Sequence, residues 1–188
     1  MKFLTKAFIA LVLASSLFAG TYNVDVAHSS VGFKIKHLMI SNVRGDFKDF
    51  SGSFVYDEKN DKLVSLKGTI KATSIDTGIV KRDNHLRSDD FFYVAKYPEI
   101  TFVLTKINAD EAHGILTMHG VTKDVVLEYE KGGAVKDPWG NTRFGFSLEG
   151  KINRKDYGLK WNKLLEGGGI TVGEIVKLYV EIEGILKK

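Results

Sequence analysis

A side-chain period of two is the feature that most constrains this chain. In Val31-Gly32-Phe33-Lys34-Ile35-Lys36-His37, apolar residues fall on every second position, as one face of a strand requires. The same period runs through 66–72, 100–107, 114–120, 125–129, 144–152 and 176–184. Clusters rich in Gly, Asn and Asp at 57–61, 108–110, 131–133 and 138–141 separate these runs. This spacing predicts antiparallel hairpins in a sandwich or barrel. The only two prolines, Pro98 and Pro138, fall where loops or strand starts are expected.

Residues 77–92 break the pattern. Ile79, Val80 and Leu86 lie near helical spacing, and Asp76 or Thr77 is available as an N-cap. The prediction is one α-helix near residues 77–90, inserted between two strands. A shorter helical turn is expected over 37–42. With no internal repeat and no linker, one domain is the economical organisation.

The start of the chain has a different character. Lys2 and Lys6 precede an apolar stretch over 7–17, and Ala19-Gly20 follow. A basic start, a short apolar run and a small terminal residue read as a secretory signal peptide over 1–19, with export to the periplasm. The run is shorter than the ~20 residues of a membrane span, so no transmembrane anchor is expected after processing. Cleavage takes Lys2 and Lys6, lowering 27 basic residues to 25 against 23 acidic ones, a net charge of about +2 instead of +4. The remaining charges of both signs are interspersed, which argues against nucleic acid as a partner. There is no cysteine, so the mature domain folds without disulfides and has no thiol nucleophile or thiolate metal site.

In a closed barrel the alternation selects an inward set: Phe33, Ile35, Phe102, Leu104, Leu116, Met118, Leu127, Phe144, Phe146, Leu148, Leu178 and Val180. About eight strands enclose an interior that side chains can just fill, or that can hold one ligand. The pattern alone leaves both open. No catalytic constellation stands out: there is no G-x-S-x-G, H-E-x-x-H or phosphate-binding loop. The histidines do not pair at helical spacing. His113 and His119 would share a strand face about 20 Å apart, too far for one metal. The densest polar run, 81–90, reads either as a solvated helix or as a charged lid whose Arg and His side chains meet an anionic head. Gly167-Gly168-Gly169 reads as a hairpin connection, because no helical pattern follows it.

Several segments together carry a family likeness. They are 22–25 with His28-Ser29-Ser30-Val31-Gly32-Phe33-Lys34-Ile35-Lys36-His37-Leu38, then Val43-Arg44-Gly45-Asp46-Phe47, then the run 82–92 from Arg82 to Phe92. Next come Tyr97-Pro98-Glu99-Ile100-Thr101-Phe102, the stretch 114–123 ending Gly120-Val121-Thr122-Lys123, and Ile152-Asn153-Arg154-Lys155-Asp156-Tyr157-Gly158-Leu159. The chain over 20–188 resembles the YceI-like proteins, periplasmic lipocalin-like barrels associated with polyisoprenoid binding. The resemblance implies an antiparallel β-barrel closed at one end by a helix. It also implies a long isoprenoid lipid or quinone held inside, with no catalytic cofactor. On that reading the inward set lines an apolar tunnel, and Arg82, His85, Arg87 and Arg154 form a polar mouth. A binding module for carriage or storage is expected; an enzyme acting on an isoprenoid diphosphate and a filled structural barrel are the alternatives. A homodimer is compatible with such a chain.

Overall fold

A computed structural model describes residues 19–188. The signal peptide expected over 1–19 therefore lies, except for Ala19, outside the described residues. Where alternation predicts strands, strands form: β2 (Ser30–His37), β5 (Lys62–Lys71), β7 (Glu99–Asn108), β8 (Glu111–Met118), β9 (Val121–Lys136), β10 (Thr142–Asn153) and β11 (Val172–Leu186). β1 (Ala19–Val24), β3 (Ser41–Phe47), β4 (Phe50–Asp57) and the two-residue β6 (Ile75–Asp76) complete the set. Eight strands close on themselves in the order β1-β4-β5-β7-β8-β9-β10-β11, with β11 pairing back onto β1. Every pairing is antiparallel; Leu148, for example, stands opposite Val180 on one side and Tyr129 on the other. β11 is long enough to serve two neighbours. Its 184–186 end pairs β1, while 172–181 pair β2, which carries β3 and then β6 outward as a flap.

Two local expectations are corrected. The expected helical turn over 37–42 is instead the tight hairpin joining β2 to β3. Leu38 and Met39 both take the left-handed conformation (φ 49° and 63°), and the Ile40 amide donates to the His37 carbonyl at 3.2 Å. This is the mirror-image turn that matches strand twist, a position where Asn-Gly is the usual sequence. The inserted helix exists but is short: α1 spans Val80–Arg87. Its N-cap is Ile79 rather than Asp76 or Thr77, and no side chain caps it. Left-handed Gly78 (φ 78°) precedes it, and Ser88, whose hydroxyl donates to the His85 carbonyl at 2.8 Å, ends it. The three glycines at 167–169 do lie in a small hairpin, closed by a bridge between Leu164 and Ile170.

The barrel interior divides into two halves. At one end Tyr22, Phe54, Tyr56, Phe144 and Phe146 fill the axis. Tyr22 stacks on Phe54 with ring centroids 5.0 Å apart, and Tyr56 stacks on Phe144 at 3.8 Å. Gly184 makes room for this cluster; a Cβ there would lie 2.4 Å from the Phe54 ring. Burial, reinforced by the hydrogen bond to Glu58, pushes the Tyr22 phenol up to about 12, so it stays a neutral donor. Toward the other end a second cluster, with Phe47, Ile100, Leu116, Met118 and Ile152 buried and Phe33, Phe102, Val31 and Val176 packed against it, lines the wall and does not close the axis. An eight-strand interior can be filled by side chains or hold one ligand, and here the wall side chains leave open volume between them. That end is hollow and α1 lies over it.

Candidate functional site

The hollow is a cavity of about 340 Å³, within the size range of small-molecule sites. Leu66, Leu127, Leu148 and Ile182 both line it and belong to the packed cluster, so they form its floor. Of the twelve positions expected to face inward, Phe33, Ile35, Phe102, Leu116, Met118, Leu127, Leu148, Leu178 and Val180 line the cavity. Leu104, Phe144 and Phe146 do not. They are inward-facing but lie in the packed half, filling the barrel rather than bounding a tunnel. Alternation identifies a face and is silent on depth along the axis, which is what separates the two groups.

Several lining residues lie outside the expected set. Val31 and Val176 share the inward face of Phe33 and Leu178, so period two was sufficient to find them. Leu86, Phe91, Phe92, Leu159 and Trp161 also line the cavity, from α1 and loops that have no strand periodicity. Trp161, His85 and Phe91 form an aromatic cluster at the helix-covered end. His85 meets the two rings edge-on, at centroid distances of 4.9 Å (Trp161) and 5.1 Å (Phe91). Its Nε2 lies 2.8 Å from the Asp90 carboxylate.

The three arginines of the expected mouth behave differently from one another. Arg82 lines the cavity, and its guanidinium donates to the Thr77 carbonyl at 2.8 Å and to the Thr77 hydroxyl at 2.7 Å. The Thr77 hydroxyl and amide both donate in turn to buried Asp83. Arg82, Thr77 and Asp83 thus lock the chain entering α1. Arg154 also lines the cavity and is only 3% exposed. It donates to the carbonyls of Leu159, Val172 and Gly173, stapling the 3-10 turn over Arg154–Tyr157 to the start of β11. Burial pulls its guanidinium below the usual arginine range, against the opposing pull of Glu174. Arg87 does not line the cavity, contrary to its expected place in the mouth. It donates to the carbonyls of Thr73 (2.7 Å) and Ile75 (2.6 Å) and to Asn84, pinning α1 to the turn that follows β5.

His119 is not on a strand face with His113. It occupies the β8–β9 turn at φ 53°, with Nδ1 3.0 Å from the Tyr157 carbonyl. Among the described residues, the one cluster with metal-ligand chemistry is Asp25, His28 and Glu183. Arg143 already engages its carboxylates, donating to both Asp25 and Glu183 as well as to Asp137. The geometry as a whole offers a largely apolar chamber, floored by aliphatic side chains and covered by α1 and an aromatic cluster.

Comparison with known proteins gives a consistent result. The protein YceI of Escherichia coli O157:H7 is 40% identical over 97% of this chain and 99% of its own length. The crystal structure of the Campylobacter jejuni YCEI protein superposes with a TM-score of 0.67 at 40% identity, covering 87% of this chain and 96% of that one. A polyisoprenoid binding domain from Saccharophagus degradans, implicated in plant cell wall breakdown, shares the fold at 16% identity, with a TM-score of 0.64 over 88% of this chain and 98% of its own. The YceI-like domain profile matches residues 22–184. With that span, the curated relatives and the half-hollow barrel in agreement, the chain belongs to the YceI-like domain family.

Proposed function

We propose that this protein is an exported, periplasmic binding protein that holds the tail of a long isoprenoid lipid, a polyprenyl chain or an isoprenoid quinone, for carriage or storage. The observation that carries the proposal is the cavity itself: an apolar chamber walled by residues such as Phe33, Leu116, Leu178 and Val180 and covered at one end by α1. Burying a CH₂ group in such a chamber contributes roughly 0.8 kcal/mol, so a prenyl tail is retained without any hydrogen bond. The fold shared with a polyisoprenoid binding domain supports the same ligand class. The head of the lipid stays at the covered end, beside His85, Trp161 and Arg82. Selectivity then follows from chamber length and from the few polar groups at its rim. The protein binds and releases its ligand unchanged.

The test is mass spectrometry of an organic extract of the protein purified from its own cells. The expected result is an isoprenoid lipid near one per protein chain. An extract with no such lipid, or turnover of an added polyprenyl diphosphate by the purified protein, overturns the proposal.

A further inference from the structure

The rim of the cavity is built from two adjacent hairpin tips. The β2–β3 tip presents Leu38, Met39 and Ile40. The smaller hairpin beside it is closed by the Leu164–Ile170 bridge. The two are tied together where the Leu38 amide donates to the Thr171 carbonyl at 2.8 Å. His37 and Thr171, at the roots of the tips, line the cavity, so the tips stand immediately outside its mouth. They are apolar and bare: Met39 is 53% exposed, Ile40 82% and Leu164 85%. Scattered exposed apolar residues need no explanation, but three on neighbouring tips at a cavity mouth form a patch. The backbone makes the choice of residues more telling. Leu38 and Met39 hold consecutive left-handed conformations that Asn-Gly would take with less strain. Around the patch, Lys36, Lys160 and Lys163 are exposed, with Glu166 the one acidic side chain between residues 34–44 and 159–171. Among the described residues, none of these three lysines forms an ion pair. Apolar tips inside a basic collar fit an anionic bilayer surface, where the tips enter the headgroup layer and the lysines meet phosphates. A second copy of the same face would bring like charges together.

We infer that the cavity end of the barrel docks on anionic phospholipid membrane through Met39, Ile40 and Leu164, holding the mouth against the bilayer from which a ligand tail is drawn. The inference rests on the lipid-binding reading for its purpose but not for its test. The probe is sedimentation with vesicles of phosphatidylcholine containing about a third phosphatidylglycerol, using protein purified from expressing cells with its N-terminus defined by intact mass. Binding is expected to these vesicles and to be about tenfold weaker to pure phosphatidylcholine or at high salt. The double variant Ile40→Asp/Leu164→Asp, at positions too exposed to disturb the core, should bind about tenfold less or weaker still. Met39→Gly should raise or preserve the melting temperature, since it relieves the left-handed strain, and still weaken vesicle binding. Delivered from cyclodextrin, a fluorescent farnesyl probe should enter parent and double variant alike; delivered from vesicles, it should enter the double variant more slowly. Failure of the parent to bind anionic vesicles overturns the inference, and so does undiminished binding by the variants, which would place the contact on another face or on a protein partner. If the parent takes up no farnesyl probe from cyclodextrin, the ligand reading fails, and vesicle binding is judged separately.

Discussion

Phe144 and Leu178 both point to the barrel axis, yet they do opposite work. Phe144 is fully buried among Tyr22, Phe54 and Tyr56, whereas Leu178 faces open volume. Phe144→Ala should therefore cost about 3–5 kcal/mol in urea unfolding, as for other aromatic truncations in packed cores, and leave probe uptake in place. Leu178→Trp should show the reverse: uptake abolished, with less than the roughly 1–3 kcal/mol that overpacking costs in a filled core. A Leu178→Trp variant that is strongly destabilised and still takes up probe would mean that the chamber is not the binding site. Arg87 makes a third contrast. Its donors are committed to the Thr73 and Ile75 carbonyls and the Asn84 side chain, so Arg87→Ala should lose about 1.5–3 kcal/mol of stability without changing selectivity between a diphosphate and a quinone head. Sequence reasoning places Arg87 beside a ligand because the run 81–90 is dense in charge. Charge density does not say which way each side chain leaves a two-turn helix, and it is that direction that assigns Arg82 to the cavity and Arg87 to the structure beneath.

At the scale of elements, the β9–β10 connection shows how a loop is made rigid. Asp137 accepts from the Trp139 and Asn141 amides, from the Asn141 side chain and from Arg143, which also reaches Asp25 and Glu183. The Arg143 guanidinium holds the carboxyls of Asp137 and Asp25 below the usual carboxylate range. A carboxylate with a lowered folded-state value stabilises the fold above its unfolded value, near 3.9, and that contribution is lost as pH falls through the folded value. Stability measured by urea should thus be flat from pH 7 to about 5 and fall below about pH 4. Arg143→Met, which leaves three carboxylates facing one another, should be less stable than the parent at pH 7, with the gap narrowing toward pH 3. A gap of constant size across that range would mean that Arg143 acts through packing. Alternation made β2, β5 and β7 to β11 legible, whereas β1, β3, β4 and the two-residue β6 were not among its runs. The β2–β3 turn was not legible, because its apolar Leu38-Met39 lacks the Asn or Gly that marks such turns. The helix end points were not either, because α1 starts from an uncapped Ile79.

The described residues form a barrel with one half packed and one half open, and the two halves bear differently on stability. The packed half supplies a core that needs no ligand. Gly184→Val there should destabilise by about 1–3 kcal/mol or more, because its Cβ would fall within the Phe54 ring's contact distance. On the proposed lipid-binding function, the open half gains from occupancy. A ligand that binds only the folded state adds about 2.7 kcal/mol at a free concentration one hundred times its Kd. Protein stripped of lipid should therefore melt at a lower temperature than protein as purified, and adding the extracted lipid back should restore the difference. Equal melting temperatures before and after stripping would argue that the chamber was never occupied.

By itself the sequence determined what is local. Period two, broken by Gly, Asn and Asp clusters, decides which residues extend and which face of each strand is apolar. The loss of that period at residues 77–92 marks the inserted helix. Motifs spread along the chain in order place it in a family. Only the tertiary structure decided what is collective. Whether the barrel is filled or hollow depends on side-chain volumes summed around eight strands at each level of the axis. Phe144 and Leu178 are indistinguishable as inward residues and are separated only by the neighbours that closure brings to their height. The same holds at the rim, where Ile40 and Leu164 are more than a hundred residues apart in the chain and become one surface because β2 pairs with β11.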